Sequence, residues 1–200
     1  MVQHLQRHKL GGSTNSAFLA LIPKDSNAST FNRFRPISLC NIGYKLTTKV
    51  IANRLKDILP NLILANQGGF MRGRKIFDNV IMVQEAVHST LARKEKGMII
   101  KVDLDNAFDK VRYSYLLYVL RSYGFDSSFG DWIKACIGDP WIAPLVNGRA
   151  VDFFKASRGL RQGCPLLPLI YVIQASALSH LFDIRRHEQY LMGIRITQDA

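Results

Sequence analysis

The sequence predicts an α+β fold, and three observations carry the prediction. Apolar residues recur at helical spacing in several long blocks, short apolar runs bounded by proline or glycine read as strands, and an Asn-Gly pair marks a hairpin. The strands do not alternate with the helices, which favours mixed helix and sheet over a regular βα repeat.

The elements follow in order. Residues 1–16 are polar and rich in Gly, Ser and Thr, a loose entry segment. Residues 17–23 (AFLALIP) form a short apolar run stopped by proline, hence a buried strand. Residues 34–39 (FRPISL) read as a second strand, which Pro36 assigns to a sheet edge or to a first paired position. Ile42, Leu46, Val50, Ile51, Leu55, Ile58 and Leu59 recur with helical periodicity up to Pro60, leaving Lys45, Lys49, Arg54 and Lys56 on a basic outer face. A glycine-marked loop, NQGGFMRGRK, precedes a second amphipathic helix over about 78–94. Residues 98–104 alternate, with Met98, Ile100, Val102 and Leu104 on one face, and predict a strand. Helices are expected over roughly 112–123, 128–137 and 166–186, with a type I′ hairpin at Asn147-Gly148.

Composition narrows the partners. The 200 residues carry 27 Lys and Arg against 15 Asp and Glu, a net charge of +12. Residues 1–75 hold 12 of the basic residues and only 2 acids, so the positive field belongs almost entirely to the first part of the chain. Such a field excludes an acidic disordered chain and suits a polyanionic partner. Cys40, Cys136 and Cys164 are odd in number and widely spaced, which suggests neither a disulfide framework nor a zinc site and fits a reducing intracellular setting. No signal peptide is evident at the start, and no run reaches the roughly 18 apolar residues that span a bilayer.

Two segments carry the chemistry. In KVDLDNAFDKV, Asp103 ends the predicted strand, where a carboxylate at a sheet rim can bind a hard cation, with the Leu104 carbonyl as a second oxygen. Asp105 suits a helix cap, and an ordinary surface role for Asp103 stays open on this segment alone. In SRGLRQGCPLLP, two glycines and two prolines flank Arg158, Arg161 and Gln162 in a tight loop entering a helix, a place where backbone N–H groups meet anionic ligands. Cys164 lies in no nucleophile motif and reads as a small buried thiol.

Together, FLALIPK, FRPISLCNIGYKLTTKVIANRLK, NQGGFMRGRKIFDNV, KVDLDNAFDKV and RGLRQGCPLLP resemble, in order, the reverse transcriptases of LINE-type (non-LTR) retrotransposons, plant ones in particular. The resemblance covers about residues 17–195. It implies a right-hand polymerase fold, with fingers over 17–95 and a partial palm over 96–200. It implies an RNA-directed DNA polymerase that uses Mg2+ in a two-metal nucleotidyl transfer, with RNA template, DNA primer and dNTP as partners and the nucleus as its setting.

The resemblance also assigns residues. Asp103 corresponds to a catalytic palm metal ligand, joined by the Leu104 carbonyl. Phe108 corresponds to the aromatic that crowds a ribose 2′-oxygen. Lys24 and Arg35 match residues that hold the incoming triphosphate, and Gln162 and Gly163 match the loop against the nascent base pair. Arg72, Arg74, Arg158 and Arg161 are expected along the nucleic acid. Two departures stand out: no Asp-Asp pair occurs, and Leu167 occupies a position that usually carries a hydroxyl. With one carboxylate where two metals are needed, this chain alone is expected to be inactive or nearly so. The alternative is a non-enzymatic nucleic-acid-binding remnant using the basic residues 1–75.

Overall fold

The structure, a computed structural model, describes residues 14–193, so the expected loose segment lies almost wholly outside the described residues. The elements are β1 (Ser16–Pro23), a 3₁₀ turn (Phe31–Arg33), β2 (Phe34–Cys40), α1 (Ile42–Leu62), α2 (Ile76–Ala92), α3 (Tyr113–Ser122), α4 (Ser127–Ile137), β3 (Trp141–Val146), β4 (Arg149–Ala150), β5 (Phe154–Lys155) and α5 (Leu167–His187). Helix and sheet are mixed, the α+β class that the sequence predicts. The chain divides into two compact units. One takes the described residues up to Leu55 with Asn106–Tyr171; the other takes Lys56–Asp105 and the described residues from Val172.

The first unit holds the sheet, in the order β2-β1-β3-β4, with β5 also on β3. β1 pairs antiparallel with β2 and parallel with β3. Pro36 therefore sits on an edge strand, opposite Leu21, where a missing N–H does least harm. Asn147 and Gly148 adopt φ of 50° and 78°, the positive values that a type I′ turn between β3 and β4 requires. Ile51, Leu55, Leu116, Leu120, Ile133, Leu166 and Ile170 are buried in this unit.

Helix α1 corrects the expected stripe. Ile51, Leu55 and Leu59 are buried, but Ile42, Leu46, Val50 and Ile58 are exposed. The buried face is completed by Tyr44, Thr47, Thr48 and Ala52. Each threonine hydroxyl donates to a carbonyl of its own helix, Thr47 to Gly43 and Thr48 to Tyr44, which leaves a methyl group to pack. That self-satisfaction lets polar residues take the core side. The four basic residues lie on the outer face as expected. The helix also runs past Pro60 to Leu62.

In the second unit the expected strand over 98–104 is not formed. A strand needs a neighbour for its N–H and C=O groups. This stretch pairs with no strand among the described residues, and Met98, Ile100 and Val102 are exposed. Helix α2 also buries none of its residues. Among the described residues α5 is the one helix long and apolar enough to cross a membrane by length and composition; Leu169, Ile170, Val172 and Ile173 on it are buried within the protein. Leu167, in place of the usual hydroxyl, is itself buried.

Candidate functional site

Residues 157–164 form a tight loop whose glycines explain its path. Gly159 and Gly163 have φ of 88° and 107°, the left-handed region open to glycine. A Cβ on Gly159 would stand 2.9 Å from the Asp109 carbonyl oxygen, and one on Gly163 would stand 2.8 Å from that of Ser38. The loop can thus lie against two backbone segments at once. Gly159 N–H donates to Val111 O and Leu160 N–H to Phe108 O, both at 2.9 Å. On the other side, Ser38 N–H donates to Gln162 O at 2.7 Å, so the loop satisfies the free edge of β2. Three expected residues, Phe108, Gln162 and Gly163, are drawn together in this way.

Between the loop and the sheet lies an open groove of about 250 Å³. Its apolar wall includes Leu19, Pro36, Ile142 and Phe154, and its polar groups include Ser38, Asp109, Arg158 and Gln162. Arg158 is exposed, where a phosphate can reach it. Phe108 is half-buried, its ring 4.6 Å from that of Tyr171. Apolar walls with a few convergent polar groups can hold a flat heterocycle and orient it.

Arg161 behaves differently from its neighbour. It is buried, and its guanidinium donates to the Asn15 carbonyl at 3.3 Å, to Asn15 Oδ1 at 2.8 Å and to the Cys136 carbonyl. Its Cζ also lies 3.9 Å from the centroid of the Tyr44 ring. Unlike the exposed Arg158, Arg161 is enclosed, with its guanidinium engaged by the protein's own acceptors. Sequence alone gives no sign of this, since its partners come from three distant segments.

The same centre gathers the cysteines. Cys40, Cys136 and Cys164 are all free and buried, and Tyr44 Oη donates to Cys164 Sγ at 3.3 Å. Burial pushes the Cys40 thiol up and the Cys136 thiol up to about 12, and it raises the Tyr44 hydroxyl well above its ordinary value. The Arg161 charge opposes each shift and is outweighed by the loss of water. Cys164 is itself a small buried thiol, as its sequence context suggests.

The remaining expected residues sit elsewhere. Lys24 follows β1, exposed, with its Nζ donating to Asn32 O at 2.9 Å. Arg35 is exposed on β2, opposite Ile22. In the second unit Arg72 is exposed, whereas Arg74 is half-buried against the end of α1. The Arg74 guanidinium donates to the carbonyls of Leu64 (2.6 Å), Gln67 (3.1 Å), Ile63 (3.2 Å) and Pro60 (3.4 Å). Helix ends leave such carbonyls without partners, and this fork supplies them.

Asp103 and Leu104 lie, exposed, on the irregular stretch that replaces the expected strand. Among the described residues no group of three or more His, Cys, Asp or Glu could hold a metal ion. Mg2+ typically keeps several waters and takes one or two carboxylates with substrate phosphates, and Asp103 and the Leu104 carbonyl are oxygen donors of the kind it accepts.

A family model described as "Reverse transcriptase (RNA-dependent DNA polymerase)" matches residues 22–192. Among curated proteins, the Transposon TX1 uncharacterized 149 kDa protein of Xenopus laevis is 30% identical over 171 residues, covering 86% of this chain and 13% of that protein. A Pol polyprotein from a type-1 retrotransposable element R2 of Popillia japonica is 24% identical over 172 residues, 84% of this chain and 24% of that protein. A probable RNA-directed DNA polymerase from transposon BS of Drosophila melanogaster is 26% identical over 161 residues, 76% of this chain and 18% of that protein. The chain spans between an eighth and a quarter of the length of these relatives.

Proposed function

Because this chain belongs to the reverse transcriptase family, we propose that it is the nucleotide- and template-contacting part of an RNA-directed DNA polymerase of a non-LTR retrotransposon. Its partners in that reading are RNA template, DNA primer and dNTP, with residues 17–95 acting as fingers, 96–200 as part of the palm, and the nucleus as the place of action. The observation that carries the reading is the pair of bonds Leu160 N–H to Phe108 O and Ser38 N–H to Gln162 O. They hold the groove-lining loop between the Phe108 turn and the edge of β2.

In this site Arg158 meets phosphate charge, Gln162 and Gly163 lie along the nascent base pair, and Phe108 excludes a ribose hydroxyl. Lys24 and Arg35 hold the triphosphate, with Lys24 leaving its Asn32 carbonyl. Arg72 adds a phosphate contact. Mg2+ is the expected metal, with Asp103 and the Leu104 carbonyl as two of its ligands and water or substrate phosphate at the remaining positions. The charge of residues 1–75, 12 Lys and Arg against 2 acids, favours a second reading: a non-enzymatic nucleic-acid-binding remnant that uses those residues and extends no primer.

The test uses a DNA primer annealed to a longer RNA template. Binding that weakens steeply between low and moderate salt supports the reading, since neutralised phosphates release counterions. Mg2+-dependent extension by this chain, abolished in Asp103→Asn, would overturn the binding-only reading. Absence of binding at any salt would remove both.

A further inference from the structure

The buried cation at Arg161 is held by acceptors and an aromatic face from several segments. Its donors engage Asn15, just ahead of β1, and the carbonyl of Cys136, in the last turn of α4. Its flat face lies on Tyr44, in the first turns of α1. Asn15 is tied in turn to the same end of α4, donating from Nδ2 to the O of Gly138, just past the helix, at 2.9 Å. The backbone that carries Arg161 continues directly into Gln162, whose carbonyl receives the Ser38 amide. Charge buried away from water is costly unless its donors are engaged. The guanidinium therefore has one orientation that satisfies it, and that orientation fixes the residue beside it.

We propose that Arg161 is a positioning residue: by clamping β1, α1 and α4 to one point, it sets the height of the Gln162–Gly163 loop over the groove and so the fit of the nucleotide there. The proposal rests on the reading of this loop as a nucleotide contact. A plain structural role would cost stability alone. A positioning role requires that the loss of nucleotide fit be transmitted through Gln162.

The experiment compares Arg161→Lys, Gln162→Ala and the double variant with the wild-type chain. Lysine keeps the charge and loses the planar fork of donors. The probe is the RNA–DNA primer–template with its complementary dNTP, followed by fluorescence anisotropy, and amide exchange at Ser38 is measured in parallel. Arg161→Lys is expected to weaken binding about tenfold and to speed Ser38 exchange by a similar factor. In the Gln162→Ala background the same change should alter binding less than about twofold. Unchanged affinity in Arg161→Lys, or a full tenfold loss that persists without Gln162, overturns the proposal.

Should Gln162→Ala bind as tightly as wild type, the nucleotide reading of the loop fails by itself. Ser38 exchange then decides the positioning claim, and unchanged exchange in Arg161→Lys sinks it. If Arg161→Lys does not fold, Asn15→Ala removes one acceptor while the guanidinium stays in place, and it is judged by the same two measurements.

Discussion

Phe108 packs its ring against that of Tyr171, with centroids 4.6 Å apart and planes inclined by 53°. Tyr171 belongs to α5, so a helix fixes the angle of an aromatic that the proposed site uses to crowd a sugar. Tilted aromatic pairs gain about 0.5–1.5 kcal/mol beyond their burial. Phe108→Ala should lower stability by about 2–3 kcal/mol in urea titrations. The preference for dGTP over GTP in equilibrium binding should also fall toward unity. Retained preference would remove Phe108 from the nucleotide site.

Gly163 and Gly148 both have positive φ, but only Gly163 faces backbone within reach of a Cβ. Gly163→Ala combines strain with a collision at Ser38 O, and a loss of about 2–4 kcal/mol is expected. Gly148→Ala meets nothing within 4 Å and should cost about 1 kcal/mol, from strain alone. Chemical denaturation of the two variants side by side checks the ordering.

Arg72 and Arg74 stand two residues apart and should fail in different assays. Arg74→Ala takes a donor from the Pro60 carbonyl in the last turn of α1 and from those of Ile63, Leu64 and Gln67 beyond it, and should cost about 2 kcal/mol of stability. Arg74→Lys, with no fork, should recover little of it. Arg72→Ala should leave the melting temperature within a degree or two and reduce the salt slope of nucleic-acid binding by about 1.

Alkaline pH should unfold the first unit early. Burial raises the Cys136 thiol to about 12 from 9.0 and the Tyr113 hydroxyl to about 12 from 10.0. Each folded group keeps its proton while the unfolded chain loses its own, so this stability is intact below pH 9 and drains away between pH 9 and 12. Under reducing conditions the melting temperature should fall across that window. Cys136→Ala should flatten the fall, and an identical slope would show that the thiol does not contribute.

Most elements were legible because their signals are local. The 42–62 helix, the Asn147-Gly148 turn and the Pro36 edge strand each follow from a few adjacent residues. The face of α1 was misread because hydrophobicity counts Thr48 as polar, whereas its hydroxyl is satisfied by Tyr44 O inside the helix. The 98–104 alternation is real, but a strand is a property of two segments, and the pattern in one cannot supply the other. The loop over 157–164 was legible as a site. The separation of Arg158, exposed, from Arg161, buried, was not, because it depends on Asn15, Tyr44 and Cys136. Ser38 escaped notice for the same reason: its part is played by a backbone amide, which no side-chain pattern announces.

The stretch from Met98 to Leu104 bears on how such a protein can be handled at all. It is seven residues of high β-propensity, largely open to water, and its only charges are Lys101 and Asp103. Segments of this kind stack into cross-β aggregates unless charged gatekeepers interrupt them. Asp103 is thus a solubilising residue as well as the proposed metal ligand. Asp103→Ala leaves Lys101 as the one charge in this stretch and invites precipitation. Loss of signal in that variant would then be confused with loss of chemistry, and Asp103→Lys, which keeps a charge at the same position, is the sounder companion.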